Sequence, residues 1–370
     1  MTKIVIQNKP KRFNKVINVD GDKSISIRSL LIGSQSHGIC KISNLSNSED
    51  IMTTITGLKK LGVRILKKKE KYYIFGNGLN SFNLKKNIVI DAGNSGTFAR
   101  LLLGLLIKSP HTIKIIGDES LSRRDFLRII LPLKEFGANF FSKKKIGLPI
   151  KILGSELIRP IKYLEKKGSA QCKSSVMLAA LNAPGTTIIK AKKSRDHTEN
   201  FYKFLKLPIK IYKTKKFDVI KVKGECQFKS FDYNIPGDVS SSAFFIILTL
   251  LSNNSKLKIK NVNVNPSRIG FIKIINKMGA KVIISNKKKV MGELIGDIFV
   301  KSQNNFKGLN CPVSLNSNAI DEFLIIFLLA AKASGVSSFK KLDELNKKES
   351  PRLKLGSKIL NKIGIKTIIN

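Results

Sequence analysis

Two hydrophobic patterns alternate along the chain. Short segments such as "NIVIDAG", "HTIKIIG", "TTIIKA" and "KLKIKNV" exchange apolar and polar positions with a period near two and read as strands. Five longer segments open on small, polar or acidic residues suited to capping and then turn apolar. They are "GDKSISIRSLLIG", "NSGTFARLLLGLL", "SAQCKSSVMLAAL", "GDVSSSAFFIILTL" and "NAIDEFLIIFLLAA". In the second, Phe98, Leu101, Leu102 and Leu105 follow the i, i+3, i+4, i+7 spacing of one helix face. The pattern predicts largely buried helices with polar N-termini at a surface.

A third fragment recurs between these helices. "LKKLGVRI", "LKEFGANF", "FLKLPIKI", "INKMGAKV" and "LNKIGIKT" each read as a helix end, a Gly suited to the left-handed cap (Pro in the third), and a strand. The Gly or Pro stands at 62, 137, 208, 279 and 364, with gaps of 75, 71, 71 and 85. Five occurrences predict a repeated unit of the form β-α-β-α-β-β. Helix N-termini carry unpaired N–H groups and partial positive charge. If the first helices of several units face one cleft, that cleft collects phosphate and carboxylate groups.

Composition narrows the function classes. At 370 residues the chain can bury a sizeable core, and its length favours two domains. The net charge of +43 raises nucleic acid as a partner, but the lysines are scattered. The runs in "KKLGVRILKKKEKYY" and "SKKKIGLPIKI" sit between apolar stretches as helix ends and hairpin turns do, so anionic small molecules are the better expectation. Cys40, Cys172, Cys226 and Cys311 show no CxxC spacing and the three histidines lie far apart, which argues against a zinc site and for reduced thiols. "MTKIVIQNKPKRF" lacks the apolar core of a signal peptide, and "FLIIFLLAA" is about half a membrane span, so the chain reads as cytoplasmic and soluble.

Candidate chemistry gathers at the helix starts. Lys23 and Ser24 open the first apolar helix, with Arg28 one turn beyond Ser24 on the same face; a capped helix with surface charges is the plain alternative. "DAGNSGTFAR" offers a Gly-rich turn into a helix, and Arg123 with Arg124 in "GDESLSRRDF" could fork onto an anion or form a solvated pair. In "SRDHTENF" either Ser194 or Asp196 suits an N-cap and His197 reads as structural. Asp321 enters the most apolar helix and must be paired, capping or catalytic. Glu349 lies beside Lys348 with Arg352 three residues on, and Pro351 implies a helix there that Glu349 could cap.

Taken in order, "GDKSISIR", "NSGTFAR", "GDESLSRRDF", "SAQCKS", "SRDHTE", "PGDVSSSA", "NPSRIG", "DEF" and "KKESPR" resemble the enolpyruvyl transferase family, and most closely its shikimate-pathway branch. "NSGT" and "SAQCKS" look more like the second bacterial class of that branch. The resemblance implies two α/β domains of three βαβαββ units each, an inside-out α/β barrel design closing over a cleft. It implies one domain over 21–238 and a second made of 1–20 with 239–370. By the repeat spacing five of six units are present, and about 60–70 further residues are expected after Asn370.

The implied activity transfers the enolpyruvyl group of phosphoenolpyruvate to the 5-hydroxyl of shikimate 3-phosphate with loss of phosphate, on the way to chorismate and the aromatic amino acids. No metal or organic cofactor, nucleic acid or membrane is implied, and a monomer is expected. By resemblance Asp321 takes the hydroxyl proton, while Glu349 and Lys23 handle the other transfers. Shikimate 3-phosphate falls to Lys23, Ser24, Arg28, Ser169, Ala170, Gln171, Ser194, Arg195, Asp321 and Lys348. Phosphoenolpyruvate falls to Lys23, Asn94, Gly96, Arg124, Gln171 and Arg352. The chain departs from the family pattern in four places. Asp20 replaces a Pro, Ile27 a His, "ESPR" stands for "ETDR", and a downstream "DHR" segment with a later Lys is absent. Two alternatives stay open here: an inactive homologue that binds shikimate 3-phosphate without turnover, and a sister enzyme acting on UDP-N-acetylglucosamine. The sister enzyme usually has a reactive Cys in the loop that here reads "GDESLSRRD".

Overall fold

A computed structural model describes residues 11–142 and 147–369. The turn expected at Lys143–Lys145 and the N-terminal segment Met1–Pro10 lie outside the described residues. The chain divides into two compact units. Unit 2 comprises Asp20–Pro236 with Lys289–Glu293, and unit 1 comprises Met1–Val19, Gly237–Lys288 and Leu294–Asn370. Each has its own hydrophobic core.

Unit 2 contains three four-stranded sheets of one design. In Val89–Asp91, Ile113–Ile116, Asn139–Ser142 and Ile150–Leu153, the first strand pairs parallel with the second, the second antiparallel with the fourth, and the fourth antiparallel with the third. Lys162–Glu165, Thr186–Lys192, Ile209–Lys213 and Phe217–Lys223 repeat that order. The third sheet takes His37–Ser43, Arg64–Lys68 and Lys71–Asn77 from the start of the unit and borrows its parallel strand, Asp232–Asn234, from the end. A helix precedes each second strand: Lys23–Gly33, Gly96–Leu105 and Ala170–Ala180. All three are buried along nearly their whole length and pack together at the centre.

Among the described residues unit 1 has one sheet of the same design, from Asn14–Ile17, Lys256–Asn263, Ile283–Val290 and Glu293–Lys301. Its central helix is Val239–Leu251. In the fifth repeat the parallel pair is reduced to two isolated bridges, Lys307 with Ser334 and Asn310 with Ser338. The apolar segment between the bridged stretches splits into Asn316–Ala319 and Phe323–Ala330, because the acids at the break bond outside the helix: Asp321 to Lys348, and Glu322 to Ser240.

The mixed α/β fold built from βαβαββ units agrees with the sequence reading. Gly62, Gly137, Gly279 and Gly364 carry the left-handed φ that closes each helix. In the third repeat Pro208 cannot, since its ring locks φ negative, and Lys206 takes φ 55 in its place. The strand expected at Ile365 does not form among the described residues. There Thr367 folds back on the helix Arg352–Lys362, its N–H donating to Asn361 Oδ1 at 2.8 Å. No described helix is long and apolar enough to cross a membrane.

Candidate active site

In unit 2 Lys23, Ser24, Gly96, Ser169, Ala170 and Gln171 lie at the starts of the three central helices, each start fixed by a side-chain cap. Asp22 Oδ1 accepts from Ile25 N at 3.0 Å, which sets Lys23 and Ser24 in the first turn of Lys23–Gly33. Ser95 Oγ accepts from Phe98 N at 3.4 Å, and Ser169 Oγ from Cys172 N at 3.3 Å. Ser169, Ala170 and Gln171 thereby sit at the start of the third helix.

Two polar clusters grow from these ends. In the first, Arg28 is 3% exposed. Its guanidinium donates to Thr198 Oγ1 at 2.8 Å, Ser174 Oγ at 2.9 Å and Ser24 O at 2.9 Å. Burial lowers its pKa to about 10, partly countered by Glu199 and Asp22, so the group stays charged at neutral pH. Lys23 Nζ lies 3.2 Å from Asp50 Oδ2. Ser194 and Arg195, just before this cluster's helix His197–Phe204, are partly buried. The N-cap of that helix is Asp196, and neither it nor Ser194 makes the capping bond the sequence suggested.

In the second cluster Gln171 ties two helices together, accepting from Arg100 Nη1 at 2.6 Å and donating to Thr97 Oγ1 at 2.8 Å. Arg100 is buried and its pKa falls to about 10 through desolvation. Asn94 bridges Asp118 and Arg124, with both bonds at 2.5 Å. Gly96 has a steric reason to be glycine. A Cβ there would sit 3.1 Å from Nη1 of both Arg100 and Arg124, so its absence lets two guanidiniums approach one helix start. The adjacent arginines part company: Arg124 turns to Asn94, while exposed Arg123 pairs with Glu119.

Unit 1 brings the remaining residues together. Asp321 Oδ1 lies 3.3 Å from Lys348 Nζ and 3.6 Å from Arg352 Nη1, and Arg352 Nη2 donates to Glu349 Oε2 at 2.6 Å. Glu349 therefore grips Arg352 and does not cap the helix Arg352–Lys362, whose N-cap Pro351 has no side-chain bond to offer. Asp321 is 27% exposed, which leaves its carboxylate within reach of solvent.

Several polar residues at these sites escaped the sequence reading. Ser174, Thr198, Arg100 and Thr97 support the proposed anion-binding side chains, and Lys173 makes a buried ion pair with Glu199 at 2.5 Å. In unit 1 Arg268 donates to Ser240 Oγ at 2.7 Å and lies 3.3 Å from Asp238. Charged residues inside otherwise apolar helices, such as Arg28 and Lys173, were the available signal. Two of the departures from the family pattern are accommodated locally: Asp20 is exposed and accepts from Asn47, and Ile27 is core. Burial raises the thiol pKa of Cys40, Cys172 and Cys311.

The family model for EPSP synthase (3-phosphoshikimate 1-carboxyvinyltransferase) matches residues 7–370. A 3-phosphoshikimate 1-carboxyvinyltransferase of Ruthia magnifica subsp. Calyptogena magnifica is 39% identical over 352 residues, which are 95% of this chain and 79% of that protein. One from Petrotoga mobilis is 37% identical over 359 residues, 96% of this chain and 82% of its own. The solved EPSP synthase of Acinetobacter baumannii superposes with a TM-score of 0.83 at 31% identity, covering 95% of this chain and 79% of that one. The enolpyruvyl transferase NikO of Streptomyces tendae, at 12% identity and a TM-score of 0.66 over 88% of this chain and 74% of its own, shares the fold. The chain belongs to the EPSP synthase family, the 3-phosphoshikimate 1-carboxyvinyltransferases.

Proposed function

We propose that this chain transfers the enolpyruvyl group of phosphoenolpyruvate to the 5-hydroxyl of shikimate 3-phosphate. The hydroxyl oxygen bonds to the enol carbon while a proton joins the methylene. Phosphate then leaves as a proton of the new methyl group is removed, so one alcohol oxygen replaces one phosphate. Asp321 accepts the hydroxyl proton, and Lys23 and Glu349 carry the others. Lys23, Ser24, Arg28, Ser169, Ala170, Gln171, Ser194, Arg195, Asp321 and Lys348 hold shikimate 3-phosphate. Lys23, Asn94, Gly96, Arg124, Gln171 and Arg352 hold phosphoenolpyruvate.

The observation that carries this reading is the pair of guanidinium clusters in unit 2. Arg28 and Arg100 are charged groups taken almost entirely out of water, an arrangement costly without anion recognition to justify it. Both are held by neutral partners, Thr198, Ser174 and Gln171 among them, so their charge is available to a ligand. We further assign 21–238 to one working domain and 1–20 with 239–370 to the other, a cytoplasmic location and a monomeric state; the division at Asp20 and Gly237 supports the first of these. The test is phosphate release from phosphoenolpyruvate by folded protein, with and without shikimate 3-phosphate. Release that depends on the acceptor is expected. Binding of shikimate 3-phosphate without release would leave a binding protein, and release with UDP-N-acetylglucosamine would reassign the acceptor.

A further inference from the structure

Three consecutive side chains at the start of His197–Phe204 go to three different places in unit 2. His197 Nδ1 lies 2.8 Å from Glu293 Oε1, and Glu199 Oε1 lies 2.5 Å from Lys173 Nζ. Between them Thr198 Oγ1 accepts from Arg28 Nε at 2.8 Å and shares a hydrogen bond of 2.7 Å with Ser174 Oγ. His197, Thr198, Glu199, Lys173 and Ser174 are all buried. Two neighbouring residues lock Thr198 in place, so the hydroxyl cannot drift from Arg28 without breaking a buried ion pair.

A guanidinium has five N–H donors in a rigid plane. Among the described residues three are taken, one each by Thr198, Ser174 and the carbonyl of Ser24. One N–H on each terminal nitrogen is left over. Two donors spaced by a guanidinium suit a carboxylate or phosphate bidentately, provided the plane does not rotate. The Ser24 contact alone holds a single nitrogen and permits that rotation. The hydroxyl pair holds Nε and Nη2, two points on the same plane, and so defines its orientation.

We propose that Thr198, acting with Ser174, is a positioning residue for shikimate 3-phosphate: the hydroxyl pair sets the plane of the Arg28 guanidinium so that its two remaining N–H groups fork onto an anionic group of the substrate. The inference rests on the assignment of Arg28 to that substrate. The hydroxyls themselves touch Arg28 and not the ligand, so their effect on binding passes through Arg28 alone.

The test is calorimetric titration of the full chain with shikimate 3-phosphate, accompanied by thermal melts, for Thr198→Val, Thr198→Ser, Arg28→Ala and the double variant. Thr198→Val is expected to weaken binding about tenfold, while Thr198→Ser keeps the hydroxyl and stays within about threefold of wild type. The double variant is expected to bind no worse than Arg28→Ala. Wild-type affinity in folded Thr198→Val, equal losses in the Val and Ser variants, or independent losses in the double variant would each overturn the proposal. If Thr198→Val does not fold, Ser174→Ala replaces it in the same comparison. Where Arg28→Ala leaves no measurable binding, the Val and Ser variants decide by themselves. Undiminished binding by Arg28→Ala, or none by wild type, would fail the site assignment and the proposal with it. Loss in Arg28→Ala alone would fail only the positioning role.

Discussion

Units 1 and 2 are built from one repeat and differ in what surrounds its central helix. In unit 2 the helices Lys23–Gly33, Gly96–Leu105 and Ala170–Ala180 pack on one another and are buried almost all round. In unit 1 the helix Val239–Leu251 is more apolar than any of them, yet Phe244, Phe245, Leu248 and Leu251 are exposed. Apolarity qualifies a helix for burial, but neighbouring repeats supply it. The polar groups follow suit. Inside unit 2 every buried charge needs a fixed partner, which makes Arg28, Arg100 and Lys173 rigid. Asp321, Lys348 and Arg352 in unit 1 are each about a quarter exposed, where an acid–base group can exchange protons.

The contrast is tested most severely at the buried pair Lys173–Glu199. Its side chains are 1% and 4% exposed, so Glu199→Ala strands an ammonium in the core. The expected loss is about 3–5 kcal/mol of stability in urea unfolding. The exposed pair Arg123–Glu119 supplies the control, since Glu119→Ala should change stability by less than about 1 kcal/mol. Similar losses at the two positions would show that unit 2 is not as tightly sealed as its burial implies.

A second comparison separates anchoring from chemistry. Arg28→Ala should abolish most shikimate 3-phosphate affinity, because it removes a preorganised charged donor. Asp321→Asn should leave that affinity within a few-fold and lower turnover by about 10²–10⁴. Binding isotherms and phosphate release measured on the same preparations check both. Parallel losses of binding and turnover in Asp321→Asn would make it another anchor and erase the division of labour.

How much of this was legible follows from the range of each signal. Caps, helix starts and the recurring left-handed residue are local, so Asp22, Ser95, Ser169 and the four cap glycines could be found from neighbours in sequence. Lys348, Glu349 and Arg352 are close in sequence and could be read together, but joining Asp321 to them, 27 positions away, needed the family resemblance. Thr198 and Ser174 were out of reach. Arg28 lies 170 positions from one and 146 from the other, and nothing in "SRDHTE" says that its Thr faces the first helix. The capping roles suggested for Glu349 and Ser194 failed because a nearby cation or the local backbone won: Arg352, three residues on, takes Glu349, and Asp196, not Ser194, occupies the N-cap with φ −115 and no side-chain capping bond.

A smaller effect should appear on the acid side, and in unit 1. Burial pushes the Asp297 carboxyl up, but bonds from Asn286, the Asn261 N–H and Lys258 outweigh it and leave its pKa below the ordinary value. A carboxyl depressed in the folded state contributes stability above its unfolded pKa, and that contribution is lost as pH falls through the folded value. Urea midpoints should therefore decline below about pH 4, and Asp297→Asn should flatten that part of the profile. An unchanged slope in the variant would assign the acid sensitivity to other carboxylates.

The smallest expected effect probes the exposed helix face directly. Phe244 is 61% exposed, so Phe244→Ser forfeits little burial and should move unit 1 stability by no more than about 0.5 kcal/mol. Leu101→Ala in the corresponding helix of unit 2, fully buried, should cost about 2–5 kcal/mol. The two changes remove apolar side chains from equivalent elements, so the ratio reads the surroundings and not the helix. Phe244→Ser should also reduce binding of a hydrophobic dye to the native protein, because it interrupts a stripe that Phe245, Leu248 and Leu251 continue. A large destabilisation by Phe244→Ser, with dye binding unchanged, would mean that this face is covered in solution and that the two units are more alike than their burial makes them.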